Sequence, residues 1–310
     1  MLVRQERIDG DGRTGVSLAE LIALRARLGK AAPARVESRA ARAGQQSSRL
    51  YGRGMDYAES RAYQPGDDVR RLDWRLTARS GRLHTKLFQE EREAQLLVLV
   101  DTHPCMRFGT RVRFKSVQAA RAAALAAWYA LRAGERIGAM AFGAQRQLLR
   151  PQAGPRGALA VCGALAEWDA AAPDAVAVEP LSEALARADH LARGASRVLL
   201  ISDGQSCDAE ARRRLLGLRR HARLGVLVVA DALELAPPPP GRYALEHAGQ
   251  RREVALYGDR QRESFRQALG AGQQRLADLA QGLGLRWRRL DTAADPLDDV
   301  LALLDARGLR

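Results

Sequence analysis

From residue 95 onward, short apolar runs alternate with longer segments of helical periodicity, and this alternation constrains the fold more than any other feature of the chain. The runs Leu96–Val100, Arg136–Phe142, Arg197–Ser202, Leu224–Ala230 and Leu285–Leu290 read as strands, and the first four hold almost no polar residue in their interiors. Strands of that kind are buried on both faces, as in a parallel sheet covered by helices. The segments between them, Arg113–Arg132, Pro155–Trp168, Leu181–Arg193, Asp208–His221 and Gly258–Gly282, read as those helices. The expected fold is therefore α/β, a doubly wound and mostly parallel sheet. Gln145–Leu149 is placed to pair with the preceding strand as a hairpin.

Composition bounds the rest. A chain of 310 residues can form one large domain with smaller attachments. Aromatic residues are only 5% of it, so Leu, Ala and Val must build the core. No apolar run reaches the roughly 18 residues of a membrane-spanning helix, and Met1-Leu2-Val3-Arg4 does not open a signal peptide, so a cytoplasmic protein is expected. Cys105, Cys162 and Cys207 are odd in number and widely spaced, which argues against a disulfide framework. The net charge of +14 is almost all arginine, because lysine occurs only at Lys30, Lys86 and Lys115. Such a charge suits nucleic acid, anionic lipid or an acidic protein face. The basic residues are spread over the chain without an RNA-binding aromatic motif or zinc-finger spacing, so nucleic acid is the less favoured partner.

Ahead of the alternating region, Ser17-Leu18-Ala19-Glu20 offers a capping box for an amphipathic helix to Leu28, with Gly29 after it. Residues 1–48 are read as an N-terminal helical arm and linker, residues 49–94 as a small β-rich segment with strands near Gly54–Tyr63 and Leu83–Glu90, and residues 95–310 as the α/β domain. Within the last, residues 236–257 form an insertion: the prolines Pro237–Pro240, then a hairpin turning at Ala248-Gly249-Gln250.

The segment from Tyr63 to Trp74 packs a Pro65-Gly66 turn, the acids Asp67, Asp68 and Asp73, the arginines Arg70 and Arg71, and a tryptophan into little space. Pro65 fixes φ and Gly66 accepts φ > 0, so a tight turn leads into a helix from Asp68 to about Arg79, capped by Asp67 or Asp68. Leu72 and Trp74 are expected to point at least partly inward, which makes Trp74→Ala a costly change. The corner reads either as acids and guanidiniums satisfying one another or as a docking centre built on Arg61, Tyr63, Asp67, Asp68, Arg71, Asp73 and Trp74.

Gly54-Met55-Asp56-Tyr57, Ser60 through Asp68, Arg71-Leu72-Asp73-Trp74 and Ala78-Arg79 together resemble the signature of bacterial proteins that carry the domain of unknown function numbered fifty-eight. The likeness continues through Lys86–Arg92, the strand ending at Asp101, Ile201-Ser202-Asp203-Gly204 and Asp231–Pro237, and so covers about residues 49 to 290. It implies a core similar to a von Willebrand factor A domain and partnership with a MoxR-type AAA+ ATPase, as an adaptor in assembly or remodelling of an unknown protein client.

In an open α/β sheet the site lies outside the carboxyl ends of the strands, where Asp101 and Asp203 fall. A von Willebrand-type metal site there uses Asp-x-Ser-x-Ser, a threonine and a further aspartate, oxygen ligands that suit Mg²⁺. Here the first loop reads Asp101-Thr102-His103-Pro104-Cys105, and Glu179 stands at the threonine position. Two aspartates match, so weak or absent Mg²⁺ affinity is expected. Asp101, His103, Cys105 and Asp203, with Cys207 nearby, could instead hold Zn²⁺, although their spacing is not that of a structural zinc site. No nucleophile elbow, zincin motif, phosphate loop or Cys-x-x-Cys is present. The sequence therefore favours a non-enzymatic interaction protein without a cofactor, over a basic nucleic-acid binder or a metal-dependent hydrolase using Asp101 and Asp203.

Overall fold

The computed structural model describes residues 10–29, 55–90, 94–171, 178–192, 195–247 and 250–305. The chain divides into two compact units, residues 37–93 and the remainder.

In the larger unit, strands β3 (Gln95–Asp101), β4 (Arg136–Phe142), β5 (Leu148–Gln152), β6 (Arg197–Ser202), β7 (Arg223–Ala230) and β10 (Arg286–Asp291) form one sheet in the order β10-β7-β6-β3-β4-β5. All neighbours are parallel except β5, which runs antiparallel to β4 as the expected hairpin. The core explains why β3 carries no polar residue between Leu96 and Val100. Leu96, Val98 and Val100 belong to one apolar cluster and Leu97 and Leu99 to the other, so β3 supplies both faces alternately. Each such fully buried side chain contributes roughly 1.5–3 kcal/mol of apolar burial.

Helices cover both faces. α3 (Lys115–Ala133) and α4 (Gly154–Ala170) pack on one, and α5 (Leu181–Ala192), α6 (Ala211–Arg219) and α9 (Ala271–Gly282) on the other. Seven fully or nearly fully buried alanines between Ala119 and Ala127 let α3 lie close to its neighbours, while Trp128 and Tyr129 fill the space near its end. The expected helix over 258–282 is two, α8 (Asp259–Leu269) and α9, separated at Gly270. There the chain passes so near the carbonyl of Glu234 that a Cβ would lie 2.6 Å from its oxygen. The short helix α7 (Ala232–Leu235) and the last, α10 (Leu297–Leu304), were not evident from periodicity. No helix among the described residues is long and apolar enough to cross a membrane.

The N-terminal segment is a part of this unit rather than a separate arm. Helix α1 (Leu18–Ala23) is capped by Ser17, whose hydroxyl accepts from Glu20 N–H, and continues as a tighter turn to Leu28. Leu21, Leu24 and Leu28 are buried, Trp128 Nε1 donates to the Leu21 carbonyl at 2.9 Å, and Val16 N–H donates to Asp169 at 2.9 Å. The insertion is a hairpin of β8 (Gly241–His247) and β9 (Gln250–Leu256), a sheet of its own whose turn residues lie outside the described residues.

The smaller unit is the antiparallel pair β1 (Met55–Ala62) and β2 (His84–Glu90), with an irregularity between Tyr57 and Glu59. The connection does not hold one helix from Asp68. A 3₁₀ turn over Val69–Arg71 ends at Leu72, which bridges to Thr85, and α2 (Trp74–Ser80) starts afresh. Two aspartates in the right places account for the break: Asp68 caps the first turn and Asp73 the second helix.

Candidate functional site

In the smaller unit each acid of the corner has a defined partner. Asp67 Oδ1 accepts from Arg61 Nη2 at 2.7 Å, and its Oδ2 accepts from Gln64 N–H at 2.8 Å. Asp73 Oδ1 accepts from Leu76 N–H at 3.0 Å and Oδ2 from the Ser60 hydroxyl at 2.7 Å. The Gln64 N–H and Arg61 hold the Asp67 carboxyl below its ordinary value, and the Leu76 N–H and Ser60 do the same for Asp73. Asp68 is exposed and Tyr63 and Arg71 are half-buried. Leu72 points inward as expected, but Trp74 does not: it is 67% exposed. It is the first residue of α2, right after the Asp73 cap. Val69 at 61% and Leu83 at 48% are also exposed, beside the exposed arginines Arg70, Arg75, Arg79 and Arg82. The corner thus turns Asp67 and Asp73 to internal partners and presents apolar and guanidinium groups, with Asp68, to solvent.

In the larger unit the carboxyl end of the sheet gathers a second set. Asp101 ends β3 and Asp203 follows β6, both about 1% exposed. Gly143 turns the chain after β4 with φ of +94°, and a Cβ there would lie 2.7 Å from His103 N, so only glycine lets the loop after β3 sit this close. Asp101 Oδ1 accepts from His103 N–H at 2.8 Å, and Oδ2 from the hydroxyls of Ser202 at 2.6 Å and Ser206 at 3.1 Å. Asp203 Oδ1 accepts from Gln205 N–H at 2.9 Å. Its Oδ2 is 2.7 Å from Nζ of Lys115, the first residue of α3, which also donates to Glu234 Oε1 at 2.7 Å. Glu234 Oε2 accepts from Asp231 N–H at 2.8 Å, and Asp231 in turn accepts from Thr110 and Thr292. One chain of buried polar contacts therefore joins the loops after β6 and β7 to the start of α3.

Electrostatics follow the burial. Burial and then Asp203 push the Asp101 carboxyl up. Burial opposes the Lys115 charge, but Asp203 and Glu234 more than offset it and hold the ammonium firmly protonated. Cys105 Sγ lies 2.9 Å from His103 Nδ1, a pairing that could suggest a nucleophile. Burial, followed by Asp203 and Asp101, instead raises the thiol far above its ordinary range, and burial lowers His103. A neutral thiol beside a neutral imidazole is a poor nucleophile.

The sequence-expected residues Asp101, His103, Cys105 and Asp203 are brought together, whereas Cys207 packs into the apolar core. Glu179 is buried and takes two bonds of 2.7 Å from Arg187, away from any role as an ion's ligand. As a divalent-ion site the arrangement does not fit. The serine positions of the first loop are His103 and Cys105, every carboxylate oxygen of Asp101 and Asp203 accepts from a protein donor, and among the described residues no group of three or more His, Cys, Asp or Glu has metal-holding geometry. Lys115, Glu234, Asp231 and the serines Ser202 and Ser206 carry no site role in the sequence reading, although Ser202, Asp231 and Glu234 lie within the stretches that bear the family resemblance. The signals were a lysine opening a helix in a chain with three lysines, and Asp231-x-x-Glu234, which forms a capping box.

The chain has recognisable relatives in sequence and neighbours among solved structures. The chain is 40% identical over 89 residues to the uncharacterized protein Rv1480 of Mycobacterium tuberculosis strain H37Rv and to the uncharacterized protein Mb1516 of Mycobacterium bovis, covering 29% of this chain and 28% of theirs. Among solved structures it is similar to the conserved hypothetical protein BatB from Bacteroides thetaiotaomicron, with TM-score 0.39 and 13% identity over 64% of this chain and 91% of that one. A von Willebrand factor type A protein from Catenulispora acidiphila is similar with TM-score 0.36 and 13% identity, over 61% of this chain and 44% of that one. The sequence matches the family described as "Protein of unknown function DUF58" over residues 59–275, more than half of the chain. The chain belongs to the DUF58 family.

Proposed function

We propose that this protein is a non-enzymatic interaction adaptor that docks a MoxR-type AAA+ ATPase through the Trp74 corner and serves assembly or remodelling of a client complex. The observation that carries the reading is Trp74 at 67% exposure, flanked by exposed Val69, Arg70 and Arg75, in a corner where Asp67 and Asp73 are turned to internal partners. Tryptophan and arginine dominate the energetics of protein interfaces, and an exposed apolar patch ringed by charge marks such a surface. Its guanidiniums suit a partner face rich in carboxylates around an apolar pocket. The choice of a MoxR-type ATPase rests on the family resemblance carried by residues 54–79.

The lack of catalysis in this reading is supported by the neutral Cys105–His103 pair and by the closed hydrogen bonding of Asp101 and Asp203. A pull-down tests the docking: wild-type protein should retain a purified MoxR-type ATPase, and the Trp74→Ala and Arg75→Glu variants should not. Failure of the wild type to retain it, or equal retention by the variants, would count against the proposal.

A further inference from the structure

We infer that Lys115 is a built-in cation, whose ammonium balances the buried carboxylates at the carboxyl end of the sheet and closes that site to divalent metal ions.

The position of this lysine is costly on two counts. A cation in the first turn of a helix faces the positive end of the helix dipole, and Lys115 opens α3, which runs for 19 residues. An ammonium taken out of water loses its hydration, and Lys115 is only 1% exposed. Both costs are offset by Asp203 and Glu234, each 2.7 Å from Nζ and each buried to within 3%. The ring of Phe108 lies 5.5 Å from Nζ and adds a favourable face. Removing Lys115 leaves two carboxylates buried and unpaired, and removing either acid leaves the ammonium with one partner instead of two, so the three form one unit.

The same contacts leave a divalent ion no vacant ligand set. Asp203 Oδ2 accepts from Nζ and its Oδ1 from Gln205 N–H, and the oxygens of Asp101 accept from His103 N–H, Ser202 and Ser206. The serine hydroxyls that could have been ligands donate to the carboxylate. A second, doubly charged cation bound to Asp203 would stand beside the ammonium and be repelled by it. Ammonium and metal are alternatives at this site.

The test uses the full chain, with Mn²⁺ as the probe, followed by equilibrium dialysis and thermal melting. Wild type should take up no stoichiometric Mn²⁺ at millimolar concentration, and its melting temperature should not move. Lys115→Ser should melt lower without the ion, then take up one Mn²⁺ per chain and recover part of the lost melting temperature. One Mn²⁺ per wild-type chain, lost in Asp203→Asn, would overturn the inference, as would a folded Lys115→Ser that takes up none. Should Lys115→Ser fail to fold, Lys115→Met paired with Asp203→Asn decides the charge-balancing role. The double variant should melt closer to wild type than Lys115→Met alone, and additive losses would overturn that role.

Discussion

Arg61 and Asp67 close the signature turn from its two sides: Nη2 of the arginine, on β1, lies 2.7 Å from Oδ1 of the aspartate that follows Pro65-Gly66. Asp67 also receives the Gln64 N–H, so one carboxylate orders both the turn and the strand that leads into it. These contacts hold its carboxyl below the ordinary value. A depressed folded-state pKa stabilises above the unfolded value of about 4, and that stabilisation is lost as pH falls through the folded value. Hydrogen exchange over residues 55–90 should therefore be faster in Asp67→Asn than in wild type at about pH 7, and the difference should shrink as pH falls below the ordinary carboxylate range and the wild-type carboxyl takes up its proton. A difference that persists undiminished in acid would contradict the assignment.

Two tryptophans should respond in opposite ways. Trp74 is 67% exposed, so Trp74→Ala should change stability by less than about 0.5 kcal/mol. Trp128 is 2% exposed and donates to the Leu21 carbonyl, so Trp128→Ala should cost about 3–5 kcal/mol and loosen α1 from α3. Denaturant unfolding of the two variants checks both values.

A buried ion pair ties the α3–β4 corner to β6. Arg197 bonds Glu135 and the Leu304 carbonyl, and its guanidinium lies 5.2 Å from the centre of the Tyr129 ring. Glu135→Ala leaves the arginine charge buried without its carboxylate and should cost about 3–5 kcal/mol by urea denaturation. Replacing both partners by apolar residues should cost less than that single change.

Thiol reactivity reads the electrostatics of the cluster. Cys105 is half-buried with its thiol raised by burial and the neighbouring aspartates, and burial also raises Cys162, to about 12, and Cys207. Because the thiolate is the reacting species, a disulfide-exchange reagent at about pH 8 should modify native protein slowly and all three cysteines rapidly after unfolding. Fast labelling of native Cys105 would show a thiolate and reopen nucleophilic chemistry at this loop.

Much of this architecture is legible in the chain because burial on both faces forces an unbroken apolar run. Leu96–Val100 could hardly be anything but a central strand, and Asp101 and Asp203 at the ends of such runs locate the carboxyl-end cluster. Partners distant in sequence were not legible. Lys115 and Glu234 are 119 positions apart, and nothing in local periodicity joins them. Trp74 misled for a different reason: apolar character predicts burial on average, but the start of α2 is set by the Asp73 cap, which fixes the direction of the next side chain independently of its hydrophobicity. The N-terminal helix was readable from Ser17 and Glu20, whereas its docking on α3 and α4 depends on the Trp128 and Asp169 contacts, which periodicity cannot place.

The central claim is docking through the Trp74 corner, and the direct measurement is calorimetric titration of a purified MoxR-type AAA+ ATPase with wild-type and Trp74→Ala protein of equal stability. The account predicts measurable binding by the wild type and an affinity loss of at least about thirtyfold in the variant, corresponding to about 2 kcal/mol at an interface hot spot. Equal affinity of the two proteins, or no binding by the wild type, would contradict it.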